Sequence, residues 1–89
     1  MNIEDLRNDI DNIDSKIIEL LVKRKNIVKK VAATKKEKNL PILDEKREIE
    51  LTKRLKEKAK IYGLDKDFVV ALYEIILENS KKHQENEII

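Results

Sequence analysis

The feature that most constrains the fold of this chain is an apolar stripe that runs through its first forty residues. Large aliphatic side chains recur at alternating spacings of three and four, at Ile3, Leu6, Ile10, Ile13, Ile17 and Leu20. This spacing places them on one face of an α-helix. No glycine or proline occurs before Pro41, and proline disfavours helical backbone in the residue that precedes it. We therefore predict a single helix over about residues 3–38.

Arg24 interrupts this stripe at the position where the next apolar residue is expected. Ile27 and Val31 then continue the stripe. A guanidinium group stays charged in proteins, and burying it without an anion is costly. No acidic residue lies on the same stripe within a turn of Arg24. The anion that Arg24 requires is therefore expected either on another helix or on a ligand.

Two shorter helices are predicted in the rest of the chain, over about residues 44–62 and 66–84, followed by a frayed tail at 85–89. Asp44 and Asp65 are favourable N-cap residues, and Gly63 suits a left-handed helix end with Leu64 closing a Schellman-type contact. The chain has only one Gly, one Pro and 3% aromatic residues. This composition is typical of an all-α protein, and 89 residues are enough for one domain.

The first predicted helix is too long to be covered by its own chain. At 1.5 Å per residue it measures roughly 50 Å, whereas a compact domain of this size has a radius of gyration of about 12 Å. Its stripe is apolar nearly from end to end, so the projecting half needs a partner. We therefore predict an intertwined homodimeric helical bundle related by a two-fold axis.

Composition excludes several classes of function. The 20 basic and 18 acidic residues are interspersed and leave a net charge of only +2, which argues against a nucleic-acid partner. The chain has no cysteine and a single histidine, His83, so we expect no disulfide, no thiolate chemistry and no metal site. No apolar run is long enough for a membrane span, and Met1 precedes polar residues. We expect no signal peptide and a cytoplasmic location.

Polar residues interrupt the apolar face of each predicted helix. Lys35 follows Arg24 by about three helical turns, so both project from nearly one face, roughly 16 Å apart. Ser80 and Gln84 continue the apolar row of the third helix. Taken singly, Lys35 is interpreted as a solvated lysine. Ser80 and Gln84 fit equally well a pair of functional hydrogen-bonding groups or a helix end that emerges into water.

The second helix contributes Asp44, Arg47 and Glu48, which fall on one face of its first turn. Alone, they are read as a cap and a surface ion pair. Arg7 lies on the first helix roughly 25 Å from Arg24. The two arginines therefore reach one small ligand only in an antiparallel dimer. Without that context, Arg7 is interpreted as a surface partner of Asp11. Jointly, the three helices suggest a cationic, water-poor pocket for a small dicarboxylate, with no nucleophile or phosphate-binding loop.

Six stretches together resemble a known family. They are Leu6-Arg7 with Ile13-Asp14, Leu20-Leu21-Val22-Lys23-Arg24, Lys35, Pro41 to Glu48, Gly63-Leu64-Asp65, and Ile76 to Ser80 with Gln84. In this order and at these spacings they resemble the small all-helical chorismate mutases of the intertwined-dimer type, found in bacteria and archaea. The similarity covers nearly the whole chain.

The resemblance implies an isomerase that converts chorismate to prephenate, a step of the shikimate pathway in phenylalanine and tyrosine biosynthesis. This pericyclic rearrangement needs no cofactor, acid, base or nucleophile. By the resemblance, Arg24 of one subunit and Arg7 of the other hold the two substrate carboxylates, and Ser80 assists at a carboxylate. Lys35 and Gln84 donate hydrogen bonds to the ether oxygen of the breaking bond.

The resemblance further implies that Glu48 accepts a hydrogen bond from the ring hydroxyl, with Asp44 and Arg47 beside it. An isochorismate–pyruvate lyase on the same scaffold is an alternative, but its substrate carries that hydroxyl on a different carbon, so Glu48 favours the mutase. A non-catalytic helical dimerisation module is a second alternative. It predicts that Arg24 pairs with a protein carboxylate and that Lys35 and Gln84 point into solvent.

Overall fold

The fold consists of three α-helices. The computed structural model describes the backbone of residues 2–88 and the side chains of residues 2–86. It contains α1 (Ile3–Glu37), α2 (Glu45–Tyr62) and α3 (Lys66–Ile88). None of the described residues is in a strand. The all-α class, with one very long and two shorter helices, is confirmed.

The end of α1 is a Schellman motif as well as a proline stop. The Leu40 amide donates to the Lys35 carbonyl at 2.8 Å, and the Asn39 amide donates to the Lys36 carbonyl at 3.3 Å. Asn39 has a φ of 56°, in the left-handed region that asparagine tolerates better than most residues. The chain therefore already turns away from the helix axis before it reaches Pro41.

Both ends of α2 carry the expected caps. The Asp44 carboxylate accepts a hydrogen bond from the Arg47 amide at 3.0 Å. At the other end, Gly63 has a φ of 72°, and the Leu64 amide donates to the Ala59 carbonyl at 2.8 Å. These contacts satisfy backbone groups that a helix end otherwise leaves unpaired. They also fix the first turn of α2, where the candidate site residues lie.

The third helix is longer than the sequence predicted. Its N-terminus is capped by Asp65, whose carboxylate accepts from the Asp67 amide at 2.9 Å. The helix passes Gln84 and continues to Ile88, beyond the end predicted at about residue 84. No glycine or proline follows Gln84 to stop it. Ile89 lies outside the described residues.

The helices are arranged around α3, which packs against both α1 and α2. Between α2 and α3 a small core is buried, consisting of Leu55, Ala59 and Val69, with Leu51 and Tyr73 packed against it. Small and β-branched side chains allow the two helix axes to approach closely. This packing sets the register in which the first turn of α2 faces the last turns of α3.

The N-terminal half of α1 remains uncovered within one chain. Ile13 and Ile17 are 56% and 50% exposed. The radius of gyration is 16.3 Å, against about 12 Å for a compact domain of this length. Along the part of the chain that the structure describes, no helix has the length and apolar character needed to cross a bilayer.

Candidate active site

A cavity of about 310 Å³ lies where the three helices meet. Its polar lining comprises Arg24, Lys35, Asp44, Arg47, Glu48, Ser80, Lys81 and Gln84. Seven of the eight residues predicted from sequence are in this set. Ligand cavities typically measure roughly 300–1,000 Å³, so the space suits a small molecule.

Apolar side chains form the remaining walls of the cavity. Ile27 and Val31 come from α1, Leu51 from α2 and Leu77 from α3. Four cationic side chains and two carboxylates line the cavity. The excess of positive charge favours an anionic ligand.

Arg24 is half-buried and donates a hydrogen bond from Nη1 to the Ser80 hydroxyl. That hydroxyl in turn donates to the Ile76 carbonyl at 2.9 Å, a common arrangement for serine inside a helix. Ser80 therefore presents an acceptor to Arg24 and orients it without neutralising it. No carboxylate of the described residues lies within ion-pair distance of Arg24, so its charge stays available to a ligand.

Lys35 links the end of α1 to the loop before α2 and to α3. Its ammonium nitrogen donates to the Ile42 carbonyl at 2.6 Å and to Gln84 Oε1 at 2.8 Å. An ammonium group has three N–H donors, so one remains. Because an ammonium only donates, Gln84 must turn its carbonyl oxygen toward Lys35. Its amide nitrogen, which donates to no described protein atom, is then left for a ligand.

The cavity edge formed by α2 is held by two contacts. The first is the Asp44 cap described above, which places Arg47 on the first turn of the helix. The second is an ion pair between Glu48 Oε1 and Lys81 Nζ at 3.0 Å. The hydrogen bond to Glu48 raises the pKa of Lys81 from its ordinary value of 10.5, although desolvation acts in the opposite direction.

Arg7 is the one predicted site residue that does not line the cavity. Its guanidinium forms an ion pair with Glu4 at 3.2 Å, with 65% of the Arg7 side chain exposed. The sequence suggested Asp11, four residues after Arg7, as a surface partner. In the structure the partner is instead Glu4, three residues before Arg7. Arg7 lies on the uncovered half of α1, far along the helix from Arg24.

The comparison with known families agrees with this arrangement. A family model described as chorismate mutase type II matches residues 6–85. The chain belongs to this family.

Individual members of the chorismate mutase family are also similar. The chain is 30% identical over 82 residues to "Chorismate mutase" of Methanocaldococcus jannaschii, covering 92% of this chain and 83% of that protein. It is 40% identical over 74 residues to "Bifunctional chorismate mutase/prephenate dehydratase" of Buchnera aphidicola subsp. Acyrthosiphon pisum, covering 83% of this chain and 19% of that protein. A protein of the same name from Escherichia coli K12 is 32% identical over 75 residues, with coverages of 84% and 19%. The chain thus spans about a fifth of these bifunctional relatives.

Two groups at the candidate site were not predicted from the sequence. One is the Ile42 carbonyl, which no side-chain pattern reveals. The other is Lys81, which lies four residues after Leu77 and three before Gln84, and so shares their helix face. This spacing could have identified Lys81 as a site residue from the sequence. Among the described residues, no cluster of His, Cys, Asp or Glu has the makings of a metal site.

Proposed function

We propose that this chain catalyses the rearrangement of chorismate to prephenate and that the cavity between the three helices is its active site. The observation that carries the proposal is the convergence of Arg24, Lys35, Glu48 and Gln84 on one cavity from three different helices. Membership of the chorismate mutase type II family supports the same conclusion. The relatives are named as chorismate mutases, and the excess of positive charge in the cavity suits a dianionic substrate such as chorismate.

The proposed reaction takes place within one molecule. An ether C–O bond breaks while a C–C bond forms elsewhere in the same substrate, and no proton or electron pair leaves it. The site must therefore hold a compact conformer and stabilise the charge that develops on the ether oxygen. A cavity of this size with fixed donors meets both requirements.

The free donors around Lys35 and Gln84 suit the ether oxygen. The Lys35 ammonium has one N–H left after its bonds to Ile42 and Gln84, and the Gln84 amide nitrogen is unused. Both side chains are held before substrate enters, so little reorganisation is needed during the reaction. Arg24, oriented by Ser80, is then assigned to a substrate carboxylate.

The α2 residues are assigned to the opposite end of the substrate. We propose that Glu48 accepts a hydrogen bond from the ring hydroxyl and that Arg47 adds positive charge beside it. Asp44 contributes by capping α2 and holding this turn in place. Ser80 acts at a carboxylate through Arg24, because its own hydrogen is directed to the Ile76 carbonyl.

We further propose that the active form is an intertwined homodimer in the cytoplasm. The exposed apolar stripe at Ile13 and Ile17 needs a cover, and a second copy of α1 is self-complementary under a two-fold axis. In such a dimer Arg7 of one chain completes the cavity of the other and holds the second carboxylate. A chain without cysteine suits a reducing compartment.

The proposal is tested by incubating the purified chain with chorismate, following its disappearance by absorbance and identifying the product. We expect prephenate, and no pyruvate when isochorismate is supplied in a parallel reaction. Release of pyruvate from isochorismate, without turnover of chorismate, would assign the chain to the lyase reaction. Absence of turnover of both substrates would support the dimerisation module, although that alternative places Lys35 and Gln84 in solvent rather than at a shared cavity.

A further inference from the structure

Lys81 and Glu48 form an ion pair at the edge of the cavity. Lys81 Nζ lies 3.0 Å from Glu48 Oε1, and the two side chains are 31% and 32% exposed. The pair joins α3 to α2, and both side chains line the same cavity as Arg24 and Gln84. None of the roles assigned above to the site includes Lys81.

The ion pair restricts the mobility of the Glu48 side chain and offsets its negative charge. A glutamate side chain has several rotatable bonds, and ordering it costs entropy. Its negative charge also opposes the entry of a dianionic substrate into the same cavity. A charge-assisted hydrogen bond from Lys81 restricts the carboxylate to one region and offsets its charge. One Glu48 oxygen, and the remaining lone pairs of the other, stay available as acceptors.

We propose that Lys81 is a positioning residue of this site, which holds the Glu48 carboxylate in place to accept a hydrogen bond from the substrate hydroxyl. The inference rests on the proposed function, since it assumes that Glu48 contacts substrate. It differs from a direct role, in which the Lys81 ammonium binds a substrate carboxylate independently of Glu48. An ordinary lysine is already charged at neutral pH, and the hydrogen bond to Glu48 raises the pKa of Lys81 further, so the ion pair persists throughout the neutral range.

A double-mutant cycle separates the two roles. Lys81→Met keeps an unbranched apolar stem but removes the charge, and we expect kcat/KM for chorismate to fall about tenfold, the size of one charge-assisted hydrogen bond. In a Glu48→Ala background the same substitution should change kcat/KM by less than about twofold, because nothing remains to be positioned. Lys81→Arg should recover much of the loss. Lys82→Met, on the next residue of α3 and outside this cavity, is the matched control and should leave kcat/KM unchanged.

A fall of similar size in both backgrounds would overturn the inference, since Lys81 would then act on the substrate or on the fold rather than through Glu48. Unchanged kcat/KM in Lys81→Met would overturn it as well. The ion pair itself is measured without substrate, by NMR titration of the Lys81 ammonium in the free chain. We expect the pKa of Lys81 to be raised above its ordinary value, mainly by the hydrogen bond to Glu48, and to fall in Glu48→Ala, where only the weaker influence of Glu78 and desolvation remain. A wild-type chain that fails to turn over chorismate would instead remove the proposed function, and the inference with it.

Discussion

At the scale of single residues, the candidate site contains two cations, Arg24 and Lys35, whose protein partners do not neutralise them. Arg24 is bonded to a serine hydroxyl, and Lys35 is bonded to two carbonyl oxygens. Neutral acceptors fix the direction of a charged group while leaving its charge in place. Such an arrangement is costly for an empty protein and favourable when an anion binds. The apolar stripe of α1 is interrupted at Arg24, where the helix borders the cavity.

Arg24→Ala is expected to lower kcat/KM for chorismate by about two to three orders of magnitude, because a substrate carboxylate loses its charged partner. The free energy of unfolding should stay the same or rise slightly, since Ser80 keeps its bond to Ile76 and no buried group is left unpaired. Steady-state kinetics and urea unfolding test the two parts. Lys23→Ala, on an exposed neighbour, is the control. Near-normal activity in Arg24→Ala would show that the cavity is not the active site.

Gln84→Glu should make activity depend on acid. A carboxylate donates a hydrogen bond only when protonated, and the adjacent Lys35 ammonium favours its ionised form. We therefore expect kcat/KM, relative to wild type at each pH, to be low at neutral pH and to rise steadily as the pH falls. Gln84→Ala has no donor in either form and should stay low throughout. A flat ratio for Gln84→Glu would mean that Gln84 does not contact the reacting bond.

At the scale of helices, the geometry of the site depends on how each helix ends. The Schellman motif at Asn39 leads the chain into the loop whose Ile42 carbonyl accepts from Lys35. The Asp44 cap then sets the first turn of α2, which carries Arg47 and Glu48. Side chains from three helices meet at one cavity because these short connections leave little freedom between the helices.

Gly63→Ala is expected to destabilise the fold by about 1 kcal/mol, because a left-handed backbone is unfavourable for residues with a Cβ atom. Gly63 has a φ of 72°, and a Cβ atom added there meets nothing within 4 Å. The cost therefore comes from the backbone alone. Urea unfolding at a fixed protein concentration measures it, with the same concentration for every variant. Gly63→Asn should lower the free energy of unfolding by less, because asparagine tolerates the left-handed region better than alanine. Equal stability of Gly63→Ala and wild type would contradict the assigned helix end.

At the scale of the whole chain, local signals predicted more than long-range ones. The three helices followed from periodicity and from Asp44 and Gly63, because caps and apolar spacing act within a few residues. The shared cavity was predicted from polar residues on apolar faces. Lys81 was missed because it stands beside another lysine, Lys82, and its partner is on another helix. The end of α3 was missed because no stop signal follows Gln84.

The central claim at this scale is that one active site is built from two chains. A single chain brings seven of the predicted residues to the cavity and leaves Arg7 exposed on an uncovered helix face. If the second chain supplies Arg7, each active site takes Arg24 from one chain and Arg7 from the other. A mixed dimer of the two variants therefore has one site with both arginines and one site with neither.

Subunit exchange between Arg7→Ala and Arg24→Ala tests this claim directly. Each variant alone should be nearly inactive. After the two are unfolded together and refolded, random pairing makes half of the dimers mixed, so about a quarter of wild-type activity should return. Each variant refolded by itself is the control. No recovery, with mixed dimers shown to be present by differential tagging, would contradict a site shared between two chains.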